Sequence, residues 1–336
     1  MTNETNLMPQ TSEPLQFVSD LLGDVAEPNA AGRTVTDPTD AARQIAQETR
    51  SRIAAVLDKF AGTPAVLLSG GIDSIYVAAV AVELGVKPVA ITIVTDGQSD
   101  ESNASNAAAE LGLRHDIIQL STDEVDDLSR DVMRRLGTSE LWEVTAGIPL
   151  LAARRSFDTI PNLGAILTGS GADAIFGGGQ KLSYPATSPE AREELDRLIR
   201  TESAANFRYD RLVPHFYPAL LDHYGERLIH VFQTVRWWRI AEHFAPTALF
   251  GERDGRSIDK FALRIACDNQ LPAGAEHLAW SAKAPIQRSS GLMSVLANSA
   301  RTYAANLPGA RTYTDPMNED AEAVATRLYL SILQQS

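Results

Sequence analysis

The sequence predicts an α/β protein: a parallel sheet with helices on both faces, followed by a mainly helical C-terminal part. Three observations carry this. Apolar runs at 65–68, 89–94, 116–120 and 165–168 alternate with helical patterns at 75–84, 101–111, 124–136 and 148–156. Strand–helix alternation at this spacing implies parallel strands joined by crossover helices. Gly85 and Gly112 stand where helix C-termini need left-handed backbone. After about Lys181 the strand signal fades, and 191–204, 226–243, 257–269, 291–305 and 318–333 all read as helices.

Residues 1 to about 37 are polar and rich in Asn, Thr, Pro and Gly, apart from an apolar island at 15–22, and read as a flexible tail. Asp40 is a candidate cap for a helix running to Phe60, whose Ile45, Ile53, Val56, Leu57 and Phe60 recur at helical spacing. The acidic cluster Asp123, Glu124, Asp126 and Asp127 suits a helix N-terminus and a solvated face. No internal repeat is present.

Composition narrows the function classes. The net charge of −13 opposes a nucleic-acid or anionic-membrane surface, which needs a basic stripe. The single cysteine, Cys267, excludes a disulfide framework and any CxxC redox or zinc site, and reads as a small buried residue. No run of about 18 apolar residues spans a membrane, and the opening Met1-Thr2-Asn3-Glu4 has no signal-peptide character. The expected location is cytoplasmic. The six histidines show no metal spacing and read as packing residues.

The chemistry lies in two glycine-rich turns. Ser69-Gly70-Gly71-Ile72-Asp73-Ser74 follows the first strand and opens a helix. A helix N-terminus leaves amide groups unpaired and favours negative charge, and glycine lets a phosphate approach closely. Asp73 inside such a turn would repel phosphates without a cation between them, which argues for Mg²⁺. The second turn, Gly169-Ser170-Gly171-Ala172-Asp173-Ala174-Ile175-Phe176-Gly177-Gly178, follows the fourth strand. In a parallel sheet both turns face one crevice, so Asp73 and Asp173 are expected to ligate the same Mg²⁺.

The first turn resembles the SGGxDS loop of the PP-loop ATP pyrophosphatases, which have the adenine nucleotide alpha hydrolase-like fold; the Walker pattern is absent. The second resembles the GDGADELFGG block of asparagine synthetases. A third block, Asp259-Lys260-Phe261-Ala262-Leu263-Arg264, then Leu271-Pro272, then Lys283 with Gly291 eight residues on, resembles their C-terminal segment. The resemblance covers about residues 60 to 300 and is nearest the β-lactam synthetase branch. It implies ATP and Mg²⁺ as cofactors, with Ser69, Gly70, Gly71, Asp73, Ser74, Gly169 and Ser170 around the nucleotide. The strand edge at Ile93, Val94 and Thr95 is expected to meet adenine. Asp100 and Glu101 stand where the family carries an acidic residue, and a helix cap with a first-turn acid accounts for them equally well. The resemblance makes Lys283 the catalytic lysine, with Lys181 a weaker phosphate candidate, and Lys260 and Arg264 read as ion-pair partners on their helix.

The domains expected are thus a tail at 1–37, a PP-loop ATP-binding core at 38–180, and a mainly helical part at 181–336 that completes the acceptor site. The expected activity is an AMP-forming carbon–nitrogen ligase that adenylates a carboxylate and passes the acyl group to ammonia or an amine, in specialised metabolism such as antibiotic biosynthesis. An NAD synthetase-like ligase and a silent nucleotide-binding partner subunit are the alternatives. Expected partners are the small carboxylate and amine, with a separate ammonia-supplying or carrier protein and a homo-oligomer left open. Nucleic acid and membrane are not expected. With Thr2 after Met1 and about 60 residues before the loop, no glutaminase domain is expected. Three departures stand out. Ser170 replaces the family's first aspartate, where β-lactam synthetases carry a tyrosine linked to deprotonation of the attacking nitrogen. Ala174 replaces its glutamate. Gly251-Glu252-Arg253-Asp254 only loosely matches the acid-binding block, so aspartate is not the default substrate.

Overall fold

Strands β1 (Thr63–Leu67), β2 (Val89–Thr95), β3 (His115–Leu120), β4 (Leu163–Thr168) and β5 (Leu228–His230) form one sheet in the order β3-β2-β1-β4-β5. All four pairings are parallel. These and the following elements come from a computed structural model that describes residues 27–95, 100–206, 213, 215–281 and 291–335. The predicted tail up to residue 26, and Lys283, lie outside the described residues.

Helices α1 (Pro38–Lys59), α2 (Ile72–Glu83), α3 (Asp100–Glu110), α4 (Thr122–Leu136) and α5 (Leu141–Phe157) accompany the first four strands. Then α6 (Ala172–Phe176), α7 (Pro189–Asn206) and α8 (Phe216–Leu221) lead to β5. Beyond it follow α9 (Val235–Ala241), α10 (Pro246–Leu249), a hairpin of β6 (Gly251–Arg253) and β7 (Arg256–Ile258), α11 (Phe261–Asp268), α12 (His277–Trp280), α13 (Leu292–Ala305) and α14 (Ala321–Gln335). No described helix is long and apolar enough to cross a membrane.

The strands alternate between two cores, as period-two side chains must. Val66, Leu68, Ala90, Ala165 and Leu167 pack with α1, α2 and α11 on one face, whereas Ala65, Val89, Ile91, Ile93 and Ile166 pack with α4, α5 and α8 on the other. The sheet is therefore covered on both sides, and its apolar runs have no polar face to show. Gly85 and Gly112 take φ of +85° and +61°, closing α2 and α3 as expected. Ser121 caps α4 in a reciprocal arrangement with Glu124, which places the acidic cluster in the first turns.

Four elements differ from the sequence reading. The first helix is capped by Asp37, whose Oδ1 accepts from the Thr39 and Asp40 amides at 2.7 and 3.0 Å, with Pro38 in the first turn. Helix α5 starts at Leu141 and runs through Pro149. The continuous apolar stretch after Glu226, read as one helix, is instead strand β5 and helix α9. Leu228, Ile229 and His230 find an open edge on β4, and that pairing outweighs local helix propensity. The reading of 257–269 as one helix is split by β7, because the turn through Asp254 and Gly255 (φ of +53° and +72°) folds β7 back onto β6.

Strand order reverses at β1: the chain moves from β1 outward to β2 and β3, then crosses to β4 on the other side. The loops after β1 and β4 consequently diverge and leave a crevice at the carboxyl end of the sheet.

Candidate active site

Bonds among its own residues shape the turn between β1 and α2. The Ser69 amide donates to Ser74 Oγ at 3.1 Å, and Ser74 Oγ donates to the Gly71 carbonyl at 3.0 Å. The two hydroxyls are 3.2 Å apart. With the Ser74 proton committed to Gly71, Ser69 is the donor of that pair. Asn103 on α3 donates to the Gly70 carbonyl at 2.8 Å, and Gly70 takes φ of +75°. Asn103 carries no motif, so sequence analysis passes over it. Gly71 caps α2 without a side chain, which leaves first-turn amides of this helix to an external acceptor.

Gly169 brings the second turn onto the first: a Cβ there would fall 2.7 Å from Asp73 Cβ. Asp73 and Asp173 then meet at one cation. Lys260 Nζ donates to both Asp73 oxygens at 2.8 Å and pairs with Asp173 Oδ1 at 2.5 Å. Sequence analysis assigns Lys260 to an ion pair on its own helix. The structure corrects that, because α11 packs on α1 and α2 and carries Lys260 from its N-terminal end into the crevice. Lys260 holds φ of +50°, a left-handed backbone that a lysine adopts only when its surroundings impose it.

Burial lowers the Lys260 ammonium, but Asp73 and Asp173 more than reverse this, so its pKa is raised overall and it stays charged. Burial pushes the Asp73 carboxyl up to about 6; Lys260 opposes the rise and Asp173 adds to it. The two directions are compatible because one cation is shared by two acids. Arg264 does pair with Asp259, at 3.2 Å, and its other amino group donates to the Ala279 and Ser281 carbonyls at 2.9 and 3.1 Å. Asp259 Oδ2 accepts from the Gly179 amide at 2.6 Å, which ties this network to the second turn.

The remaining candidates are dispersed. Val94 is buried near the carboxyl end of β2. Ser170 is exposed at the crevice and accepts from Gln233 Nε2 at 3.0 Å. Glu101 and Lys181 are exposed, and the Asp100 side chain lies outside the described residues. His230 is buried with Nδ1 2.8 Å from Thr168 Oγ1, and Cys267 is buried in α11.

The donors fit Mg²⁺. Two carboxylates converge on one positive charge at Lys260 Nζ, and the Asp173 side chain is still 72% exposed, so oxygens remain open to the crevice. Among the described residues no group of three or more His, Cys, Asp or Glu side chains gathers. Such a two-carboxylate site suits an ion that keeps water and phosphate oxygens as its other ligands. Gly178 belongs to the same packing: a Cβ there would overlap Asp173 Oδ1 and Lys260 Cε. Gly178→Ala is expected to displace both charges and lower nucleotide turnover at least about tenfold, the effect of a misplaced catalytic group. Steady-state kinetics beside a melting curve checks this, since turnover should fall further than stability.

The asparagine synthase family model matches residues 60–238, more than half of the chain. Glutamine-hydrolyzing asparagine synthetase 2 of Lotus japonicus is 26% identical over 215 residues, covering 61% of this chain and 35% of that protein. Asparagine synthetase B of Escherichia coli is 26% identical over 149 residues, covering 40% and 26%. The chain spans at most about a third of the length of these two curated relatives. Among solved structures, NMN synthetase from Francisella tularensis aligns over 74% of this chain and 98% of its own, at 14% identity and a TM-score of 0.32, a likeness too loose to argue from. The family match spans both glycine-rich turns and strands β1 to β5, and on it the chain belongs to the asparagine synthase family.

Proposed function

We propose that this protein is an ATP-dependent carboxylate–amine ligase that forms an acyl-adenylate, releases pyrophosphate, and transfers the acyl group to ammonia or an amine. The observation that supports it best is the meeting of Asp73, Asp173 and Lys260 where the two turns face each other at the reversal of strand order. That is where an α/β sheet binds nucleotides.

The β1–α2 turn would hold the phosphates through its free amides, and Ser69 and Ser74 keep its shape. Asp73 and Asp173 would hold Mg²⁺, which when bound supplies positive charge to the phosphate oxygens. Lys260 is placed to oppose charge that builds on the leaving pyrophosphate, a gain larger in the transition state than in the ground state. Lys283 has the same role on the family resemblance. In the first step a carboxylate oxygen bonds to the α-phosphorus, and pyrophosphate leaves with the electron pair of the broken bond. A substrate other than aspartate accords with the loose match around Gly251-Glu252-Arg253-Asp254, and specialised metabolism with the resemblance to the β-lactam synthetase branch.

Exchange of labelled pyrophosphate into ATP, run against a panel of carboxylic acids, tests the reading. Exchange is expected only with the acids that are substrates, and full turnover should release AMP and pyrophosphate in equal amounts. ADP and phosphate as the stoichiometric products would remove the assignment.

A further inference from the structure

Lys260 is held through its backbone as well as through its charge. With φ of +50° it stands outside the conformations that L-residues favour, so something must keep it there. The two peptide planes flanking its Cα define its φ and ψ, and one residue pins both. The Arg264 amide donates to the Lys260 carbonyl at 3.0 Å, the opening bond of α11. Arg264 Nε donates to the Asp259 carbonyl, also at 3.0 Å, and that carbonyl belongs to the peptide just before Lys260. The arginine thus clips the chain on either side of the lysine.

The rest of the guanidinium steadies the clip. Its side chain is 9% exposed, and Nη2 donates to Asp259 Oδ1 at 3.2 Å. Nη1 donates to the carbonyls of Ala279 and Ser281, at the end of α12. Asp259 reaches the other way, where its Oδ2 accepts from the Gly179 amide. Gly179 follows directly on Gly178, where a Cβ would overlap Asp173 Oδ1 and Lys260 Cε. One arginine–aspartate pair therefore fixes the lysine backbone and the end of the turn that carries Asp173. A planar guanidinium fork can hold a carboxylate and carbonyls at once, which an ammonium on a flexible stem cannot. Among the described residues neither Arg264 nor Asp259 bonds to Asp73 or Asp173. Arg264 acts on Asp73 only across space, as a positive charge that lowers its carboxyl pKa. The bonded link to both aspartates is Lys260.

We propose that Arg264 and Asp259 are positioning residues that set the place of the Lys260 ammonium between Asp73 and Asp173. The proposal deepens the ligase reading above and rests on it for the role of Lys260 in adenylation. A fixed charge speeds a reaction only if it is already in place when charge develops. With the clip cut, the Lys260 backbone is free to leave the left-handed region, which swings its Cα–Cβ bond and carries Nζ away from the two carboxylates.

Arg264→Lys tests this, because it keeps the positive charge near Asp73 and loses the fork. Its pyrophosphate exchange is expected to fall about tenfold in kcat, with KM for ATP within about twofold, the signature of a misplaced group and not of lost binding. In a Lys260→Met background the same substitution should change exchange by less than about twofold, since a residue that acts through Lys260 then has nothing left to place. Mg²⁺ titration of the unfolding midpoint reads the same coupling without turnover. Arg264→Lys should gain more from the ion than the native protein, because a loosened ammonium competes less for the carboxylates. In the Lys260→Met background it should gain no more than Lys260→Met alone. Asp259→Asn, at a side chain 26% exposed, keeps an oxygen for the Gly179 amide and should show the same pattern with a smaller loss, so the test survives if Arg264→Lys does not fold. A further tenfold loss of exchange in the Lys260→Met background overturns the proposal, and so does a Mg²⁺ response of the single variants equal to the native one. No exchange with any acid in the native protein fails the ligase reading instead, and the Mg²⁺ titration then decides the positioning role by itself.

Discussion

Lys260→Met is expected to lose adenylation by a factor on the order of a hundred to a thousand, the usual cost of removing one preorganised donor from developing charge. It is also expected to unfold more readily. Lys260 is only 6% exposed at its side chain and Asp73 20%, so its removal leaves a largely buried carboxylate beside a second one. Breaking a buried pair costs about 3–5 kcal/mol. The low end is expected here, because Asp173 is 72% exposed and water screens it. The two effects separate with Mg²⁺. A ligand that binds only the folded state stabilises it by mass action, and without the ammonium the two carboxylates should bind the ion more tightly. The unfolding midpoint of Lys260→Met should therefore rise further with added Mg²⁺ than that of the native protein, while adenylation stays low. A variant with native exchange rate would leave Lys260 as a plug between two acids and nothing more.

Arg33→Met should be the most destabilising change outside the crevice, by about 3–5 kcal/mol in urea unfolding. The Arg33 side chain is fully buried; its Nε donates to Asp196 Oδ1 at 3.0 Å, and its Nη1 donates to the Phe244 carbonyl at 3.1 Å. Asp196 on α7 is 3% exposed and also accepts from Arg200 Nε and the Asn29 amide, both at 2.8 Å. Burial brings the Arg33 guanidinium down to about 10, against the pull of Asp196, so it is still charged at neutral pH. Losing it leaves Asp196 to Arg200 and the Asn29 amide, takes the donor from Asp196 Oδ1 and from the Phe244 carbonyl, and opens a void; each unmet buried partner costs about 1–3 kcal/mol. Adding Asp196→Leu should deepen the loss, since it also takes the carboxylate from the buried guanidinium of Arg200. Exchange activity per folded molecule should hardly move in either variant. A loss under about 1 kcal/mol for Arg33→Met would put this cluster among exposed, screened pairs.

The strands and the glycine turns were legible because their signals are local. Apolar runs of strand length, left-handed glycines at helix ends and a hydroxyl–glycine–aspartate turn each depend on a few neighbouring residues, and β1 to β4 lie where those patterns place them. What escaped depends on partners far away in the chain. Leu228–His230 carries the same apolar character whether helical or extended, and only the free edge of β4 decides in favour of a strand. The helix read over 148–156 begins at Leu141 instead, and α5 continues through Pro149 for two turns on either side. Asn103 looked like any polar helix residue until α3 brought it to the Gly70 carbonyl.

The sequence by itself determined the class of fold, the two turns that face the crevice, and the two aspartates that meet there, since motif spacing and a parallel sheet leave little freedom in where such turns end up. Tertiary structure alone decided which cation joins the aspartates and which residue supports Ser170. Lys260 is 187 residues from Asp73 in sequence and Gln233 is 63 from Ser170, and no local pattern encodes a contact over that distance. Those contacts exist because α11 packs on α2 and because β5 closes onto β4, and packing of that kind is a property of the whole folded chain.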